Sequence, residues 1–217
     1  MKEKNTPITA DSALLAGRLR QGAEQLGLTL TADQHQRLLQ FLALLVRWNQ
    51  VYNLTAVRDP LEMVARHLLD SLAILPYLDG DTVLDIGTGA GLPGLPLAIV
   101  VPERRFVLLD SNGKKIRFVR QVVIDLELAN VVPVQARIET YRPDRKFSTI
   151  VSRAVADTEI LPVLKAGLLT QPGRLLIMKG RHPDDATDSQ TWPSATIHRL
   201  HIPFLDVTRH LIEIRSD

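Results

Sequence analysis

A glycine-rich segment that directly follows a short apolar run constrains the fold of this chain most strongly. Residues 82–86 read TVLDI, and residues 85–94 read DIGTGAGLPG. Glycine has no Cβ, so the backbone can turn tightly there and can approach a ligand closely. In open α/β sheets, ligands bind beyond the carboxyl end of such a strand, where the loop enters a helix. The segment therefore predicts a ligand-binding loop after the first strand of an α/β sheet.

The chain beyond residue 80 continues with alternating strand and helix patterns. Apolar runs predict further strands at 105–109, 131–135, 147–152, 173–178, 196–202 and 209–214, and helices at 93–100, 114–126 and 158–169. This alternation predicts a mostly parallel sheet that is covered on both faces. No helix pattern separates the last two strands. We therefore expect them to form an antiparallel hairpin at or near the edge of the sheet.

The first eighty residues have a helical pattern instead. A helix is predicted from Asp11 or Ser12 to about Leu26, and Thr31 with Gln34 forms a capping-box pattern at the start of a second one. Asp59 and Pro60 read as the N-cap and first residue of another helix. We predict a helical region at residues 1–79 and an α/β domain at residues 80–217.

Composition excludes several classes of protein. Of 217 residues, 45% are hydrophobic and 23% are charged, which is typical of globular domains. The chain has no cysteine, so disulfides, thiolate metal sites and sulfur nucleophiles are excluded. Its apolar runs are far shorter than the roughly 20 residues of a membrane-spanning helix, and no signal peptide is evident. We expect a cytoplasmic monomer without a membrane partner.

Charge is distributed unevenly along the chain. The formal net charge is only +2, but residues 104–153 contain eleven Lys or Arg and five Asp or Glu, a local net charge of +6. Such an imbalance indicates an anionic partner such as RNA. The candidate RNA-binding residues are Arg104, Arg105, Lys114, Lys115, Arg117 and Arg120.

Two classes of cofactor fit the glycine loop to different degrees. Gly89, Gly91 and Gly94 match the dinucleotide pattern G-x-G-x-x-G, which favours a nicotinamide-dependent oxidoreductase. Asp85, however, would repel a pyrophosphate, whereas it suits the ammonium and sulfonium groups of S-adenosylmethionine. Asp110 closes the second strand and would accept hydrogen bonds from ribose hydroxyls in either class. The predicted hairpin and Asp85 favour S-adenosylmethionine, and the oxidoreductase remains the alternative.

Motifs along nearly the whole chain carry a more specific resemblance. They are WNQVYNLT at 48–55, VRDP at 57–60, RHLLDS at 66–71, DIGTGAGLPGLPLAI at 85–99, LLDSNGKKIRFVRQV at 108–122, SRA at 152–154 and MKG at 178–180. Together they resemble the bacterial 16S rRNA guanine-N7 methyltransferases, also called glucose-inhibited division protein B. This implies a class I methyltransferase fold, which is Rossmann-like with a seven-stranded, mostly parallel sheet and an antiparallel C-terminal hairpin. It also implies 16S rRNA or the small ribosomal subunit as partner, with a guanine in a hairpin loop near the decoding site as target.

The resemblance also implies roles for individual residues. Gly87 and Leu92 are expected to contact the cofactor, Asp110 its ribose, and Ile138 and Glu139 its adenine, while Arg153 matches an active-site arginine of the family. The predicted cofactor-binding residues are thus Asp85, Gly87, Gly89, Gly91, Leu92, Asp110, Ile138, Glu139 and Arg153. Asn49 and Asn53 are interpreted as caps and His67 as a packed histidine, outside the site.

The chemistry of guanine N7 requires little from the protein beyond orientation. N7 carries an exposed lone pair and no proton, so its methylation needs no general base, and proximity to the methyl donor supplies most of the catalysis. The chain also lacks the [Asn/Asp]-Pro-Pro-[Tyr/Phe] tetrapeptide of amino methyltransferases after its fourth predicted strand. We therefore name no catalytic acid or base, and no metal ligand, since His198 and His201 would lie on opposite faces of a strand. A cofactor-binding ribosome-assembly factor without catalysis is a second alternative.

Overall fold

The computed structural model describes residues 10–153, 167–180 and 195–216. The strands in these parts of the chain are β1 (Thr82–Ile86), β2 (Arg105–Asp110), β3 (Val131–Gln135), β4 (Phe147–Arg153), β5 (Leu169–Lys179), β6 (Thr196–Leu200) and β7 (Arg209–Ser216). They form one sheet in the order β3-β2-β1-β4-β5-β7-β6. The pairs from β3 to β5 are parallel, whereas β7 is antiparallel to both β5 and β6. The predicted fold class is confirmed, including the hairpin at the edge of the sheet.

Two of the helices begin at the caps that the sequence predicts, Thr31 and Asp59. The helices of the described residues are, in chain order, α1 (Ala10–Gln25), α2 (Ala32–Tyr52), α3 (Pro60–Met63), a π-helical turn (Val64–Leu69), α4 (Asp70–Leu72), α5 (Gly94–Val100) and α6 (Gly113–Asp125). Thr31 accepts a hydrogen bond from the backbone of Gln34, whose side chain accepts one from the backbone of Thr31. Asp59 caps α3 with Pro60 in its first turn. In the described parts of the chain, no helix is long and apolar enough to cross a membrane.

The sheet separates two clusters of buried apolar side chains. On one face, Val83 of β1 and Phe118 of α6 belong to the same cluster as the leucines of α2. The Phe41 and Phe118 rings, whose centroids are 6.3 Å apart, join α2 directly to α6. On the other face, Leu84 packs in a second cluster. The helical region is thus packed on the α/β part of the chain, and its description as a separate unit ending at residue 79 stays a prediction.

Several predicted boundaries differ from the structure by one or more residues, and three of these differences concern β5 and β6. Strand β5 begins at Leu169 rather than at 173, because the strand tolerates Pro172 at an irregularity where the register with β4 shifts. Leu169 is therefore not the end of a helix, and residues 158–166 of that predicted helix lie outside the described residues. Strand β6 ends at Leu200, and His201 follows it, since Pro203 lacks the N–H that a continuing strand would donate.

Candidate functional site

The glycine loop lies at the carboxyl edge of the sheet, between β1 and α5. Gly87, Gly89 and Gly91 have φ angles of 67°, 59° and 80°, in the left-handed region that favours glycine. The backbone N–H groups of Gly87 and Thr88 both donate to the carbonyl oxygen of Leu109, at 2.8 and 3.0 Å, which fixes the loop against the end of β2. Among the described residues, a Cβ at Gly89 would approach Gly87 O and Lys115 Nζ only to 3.8 Å, which is ordinary van der Waals contact.

Asp85 lies beneath the loop with a fully buried side chain. Its Oδ2 accepts hydrogen bonds from the Thr88 hydroxyl, at 2.6 Å, and from the Gly94 backbone, at 2.9 Å. Its Oδ1 is buried and has no hydrogen-bond partner among the described residues. Burial raises the pKa of Asp85 to about 6, although both hydrogen bonds act to lower it. The site therefore contains a buried carboxyl oxygen whose pairing is incomplete, which fits the cationic end of a ligand.

Asp110 is the last residue of β2 and faces the same loop. Its Oδ2 accepts from the backbone N–H of Gly89 at 2.9 Å, and its Oδ1 from that of Asn112 at 2.8 Å. The ammonium group of Lys115 lies 3.9 Å from Oδ2. Each carboxylate oxygen can accept more than one hydrogen bond. Asp110 is thus held by the backbone and retains acceptor capacity for hydroxyl groups.

A cavity of about 150 Å³ opens beside Asp110. A 3₁₀ turn (Ile138–Thr140) after β3 forms one wall, with Ile138 buried and Glu139 exposed. The cavity brings together four of the predicted cofactor-binding residues, namely Gly87, Asp110, Ile138 and Glu139. An apolar wall between two carboxylates suits a nucleoside, whose base is flat and whose ribose donates hydrogen bonds.

The other predicted cofactor residues lie outside this cavity. Leu92 is buried in the core that α5 shares with the helical region. Arg153 ends β4, which is the neighbour of β1, and its charge acts on the Asp85 pKa from nearby. It lines a different cavity, of about 360 Å³. The structure therefore brings Arg153 to the carboxyl edge of the sheet but not beside Ile138 and Glu139.

The second cavity contains polar residues that the sequence does not identify as site residues. Arg66, His67 and Asp70 line it from the helical region, and Arg209 lines it from β7. Asp70 is 3% exposed and contacts both Arg153 and Arg209. The sequence signal that could have identified Arg66, His67 and Asp70 is the RHLLDS motif at 66–71, because polar residues recur there within an otherwise apolar helix.

His67 and Asn53 have the local roles that the sequence predicts, whereas Asn49 lies within α2 and is not a cap. His67 is buried, and its Nε2 lies 3.0 Å from the Thr55 hydroxyl. Burial, assisted by the charge of Arg153, lowers the pKa of His67 to about 4, so the ring is neutral at neutral pH. Asn53 is the C-cap of α2 in a left-handed conformation. Asn49 accepts from the backbone of Thr55, which stabilises the turn after α2.

The candidate RNA-binding residues lie at opposite ends of β2. Arg104 and Arg105 are at its amino end, while Lys114, Lys115, Arg117 and Arg120 belong to α6, which follows its carboxyl end. At about 3.3 Å per residue, these ends are roughly 17 Å apart. Lys114, Arg117 and Arg120 are exposed, whereas Arg104 is half-buried. The start of α6, with Lys114 and Lys115, is the part of the candidate set next to the cavity beside Asp110.

His198 contributes to the pairing of the two strands of the C-terminal hairpin. His198 of β6 lies 2.8 Å from the Glu213 carboxylate of β7, measured from Nε2 to Oε2, and His201 lies outside the strand. Across residues 10–153, 167–180 and 195–216, no group of three or more His, Asp or Glu side chains is arranged to hold a metal ion.

Comparisons with known proteins agree on a family. A family model described as rRNA small subunit methyltransferase G matches residues 34–212. A protein named ribosomal RNA small subunit methyltransferase G from Methylococcus capsulatus is 52% identical over 198 residues, which are 91% of this chain and 97% of that protein. The protein of the same name from Pseudomonas aeruginosa is 49% identical over 203 residues, covering 92% of this chain and 95% of the relative.

Solved structures share the fold at low sequence identity. Magnesium protoporphyrin IX methyltransferase from Synechocystis, with bound S-adenosylmethionine, has a TM-score of 0.58 at 17% identity, covering 78% of this chain and 90% of the other. The N-methyltransferase NodS from Bradyrhizobium japonicum, in complex with S-adenosylhomocysteine, has a TM-score of 0.53 at 16% identity, with 79% and 98% covered. These similarities support the fold class.

Proposed function

Because the chain belongs to the rRNA small subunit methyltransferase G family, we propose that it transfers a methyl group from S-adenosylmethionine to N7 of a guanine in 16S rRNA. Methyltransferase activity on small-subunit rRNA is what the family name states. The choice of guanine N7 rests on the resemblance described above and on the absence of cysteine and of the amino-methyltransferase tetrapeptide.

The observation that carries the cofactor assignment is the buried Oδ1 of Asp85, which has no hydrogen-bond partner in the described parts of the chain and lies beneath a left-handed glycine loop. A carboxylate there would accept from the ammonium group of S-adenosylmethionine. Asp110 would hold the ribose hydroxyls, while Ile138 and Glu139 would contact the adenine in the adjoining cavity. A pyrophosphate would instead be repelled by Asp85, which disfavours a nicotinamide cofactor, whereas Asp110 suits the ribose of either cofactor.

The reaction requires orientation rather than acid–base catalysis. The bound cofactor supplies a methyl group on a sulfonium. The N7 lone pair forms the new N–C bond, and the C–S electron pair stays on sulfur, so the positive charge passes to the purine and no proton moves. The residues of the chain hold the two reactants in line and exclude water, which accounts for most of the rate enhancement in such a transfer.

The proposal is tested by incubating the protein with labelled S-adenosylmethionine and small-subunit RNA that lacks the modification. Borohydride and aniline then cleave the RNA at N7-methylguanine, and we expect one cleavage site together with incorporation of one methyl group. Incorporation without cleavage would assign the methyl group to another atom. Cofactor binding by calorimetry without incorporation, on RNA and on assembled subunits, would favour a non-catalytic assembly factor.

A further inference from the structure

The cavity of about 360 Å³ lies between the helical region and the carboxyl ends of β4 and β5. Arg153 stands one residue beyond Ser152, which pairs with Ile86 at the end of β1, so the cavity adjoins the strand that leads into the glycine loop. Open α/β sheets bind their ligands at this edge, where the strand order reverses. The cavity is large enough for a nucleotide and is separate from the smaller cavity beside Asp110.

Asp70 joins two arginines across this cavity. Its Oδ1 lies 3.0 Å from Nε of Arg209, and its Oδ2 lies 3.4 Å from Nη1 of Arg153. The Asp70 side chain is 5% exposed, whereas those of Arg153 and Arg209 are 25% and 21% exposed. A guanidinium has five N–H donors in a rigid plane. Each arginine is therefore oriented from its buried side and retains donors for a ligand in the cavity.

The backbone just before Asp70 has an uncommon conformation. Val64–Leu69 forms a π-helical turn, and the N–H of Asp70 donates to the carbonyl oxygen of Ala65, five residues earlier. Such turns are rare and often occur at functional sites. Here the turn carries Arg66 and His67, which line the same cavity as Asp70. The helical region thus supplies a wall of the cavity in addition to its packing on the sheet.

The cavity is lined by four cationic side chains and one carboxylate, since Arg66 and Lys179 lie there with Arg153 and Arg209, and Asp70 is the acid. The buried His67 ring adds no charge at neutral pH. This excess of positive charge suits the phosphate of a nucleotide. Asp70 reduces the repulsion that its two arginine partners would exert on a base that becomes cationic on methylation. The remaining guanidinium donors can bind O6 of guanine or a phosphate oxygen while N7 stays free.

Building on the proposed function, we propose that this cavity receives the target guanine nucleotide and that Asp70 is a positioning residue, which holds Arg153 and Arg209 against it. The occupant is an RNA nucleotide with an exposed purine, and Arg209 contacts it directly. Residues from the helical region and from β7 therefore complete the acceptor site next to the cofactor.

The test compares Asp70→Asn with Asp79→Asn, which removes the charge of an exposed carboxylate that also accepts from an arginine, Arg174. For Asp70→Asn we expect kcat on unmodified small-subunit RNA to fall at least tenfold, while the Kd for S-adenosylhomocysteine, measured by calorimetry, changes less than twofold. Asp79→Asn should match the wild type in both. A wild-type kcat in Asp70→Asn would overturn the proposal, as would a loss of cofactor binding that parallels the loss of rate.

A second variant separates positioning from a structural role. Arg209→Ala should lose activity, and millimolar guanidinium should partly restore its rate well below the melting temperature, because Asp70 can hold the added ion. The double variant Arg209→Ala/Asp70→Asn should not respond. Equal rates with and without guanidinium in both variants would overturn the role of Asp70. Failure of the wild-type protein to methylate N7 would instead contradict the proposed function.

Discussion

Asp110 at the end of β2 accepts a hydrogen bond from the backbone of Gly89, with 2.9 Å between Oδ2 and N. This bond joins the carboxylate expected to hold ribose to the loop expected to surround the cofactor. The carboxylate and the loop therefore hold each other in position. The affinity of a ligand that contacts Asp110 also depends on the conformation of the loop.

Replacing Asp110 by Asn should weaken cofactor binding. The amide retains only one acceptor oxygen, so either Gly89 or Asn112 loses its partner, and a hydroxyl of the ligand loses a charged acceptor. We expect a tenfold to hundredfold higher Kd for S-adenosylhomocysteine, equivalent to about 1.5–3 kcal/mol. Calorimetry measures this Kd. The control is Asp125→Asn, which changes an exposed carboxylate on α6. Unchanged binding would remove Asp110 from the site.

Cofactor affinity should depend on pH through Asp85. Its pKa is raised to about 6 by burial, so protons compete with the ligand ammonium below that pH. Between pH 7 and pH 5 we expect affinity to fall about tenfold, because each pH unit below the pKa costs a factor of ten. Calorimetry at both values tests this. Asp85→Asn should bind weakly at both, with the pH dependence gone; a pH dependence that persists would point to another group.

The same carboxyl group should lower the stability of the protein at neutral pH. Its folded-state pKa of about 6 exceeds the ordinary aspartate value of 3.8, so the folded state binds the proton more tightly. The resulting stability is complete below pH 4 and is lost as pH rises through 6. Asp85→Asn should then raise the free energy of unfolding at pH 7 by up to about 3 kcal/mol and by little at pH 4. Urea denaturation at the two pH values measures this, and a destabilised variant at pH 7 would contradict it.

Two glycines of the loop should respond differently to alanine. At Gly91, with φ of 80°, a Cβ would collide with the Leu95 side chain, so Gly91→Ala should destabilise the fold by about 2 kcal/mol. At Gly89 a Cβ would make only ordinary van der Waals contacts, and Gly89→Ala should cost about 1 kcal/mol of backbone strain and mainly impair cofactor binding. Gly17→Ala, in the exposed surface of α1, is the control and should stabilise by about 0.5–1 kcal/mol. Thermal denaturation ranks the stabilities of the three variants. Equal losses of stability in Gly89→Ala and Gly91→Ala would contradict the predicted collision with Leu95.

RNA binding should depend on α6 more than on the opposite end of β2. Lys114 and Arg117 are exposed beside the proposed cofactor site, whereas Arg105 lies at the far end of its strand. Lys114→Ala/Arg117→Ala should lower affinity for small-subunit RNA and reduce the slope of log K against log salt by about one for each phosphate that is no longer neutralised. Filter binding at several salt concentrations tests this, and Arg105→Ala is the comparison variant. A larger effect of Arg105→Ala would place the RNA at the other end of the sheet.

Local chemistry explains which parts of this structure could be predicted from the sequence. Strand β1 and the capping box at Thr31 were predicted residue by residue, because a strand entering glycines and a capping pattern are both local signals. The start of β5 could not be predicted, since Pro172 is tolerated only where the register between β4 and β5 shifts. The contact of Asp70 with Arg209 spans 139 residues, and no periodicity in the sequence links them.

That separation has a consequence during synthesis. A ribosome must add 139 residues after Asp70 before Arg209 exists, and β7 must then enter the sheet between β5 and β6. The glycine loop and Asp110 are translated before this step. The contact between Asp70 and Arg209 can form only when β7 is in place. In our proposal, the order of translation therefore leaves the acceptor site incomplete until the last strand has been made.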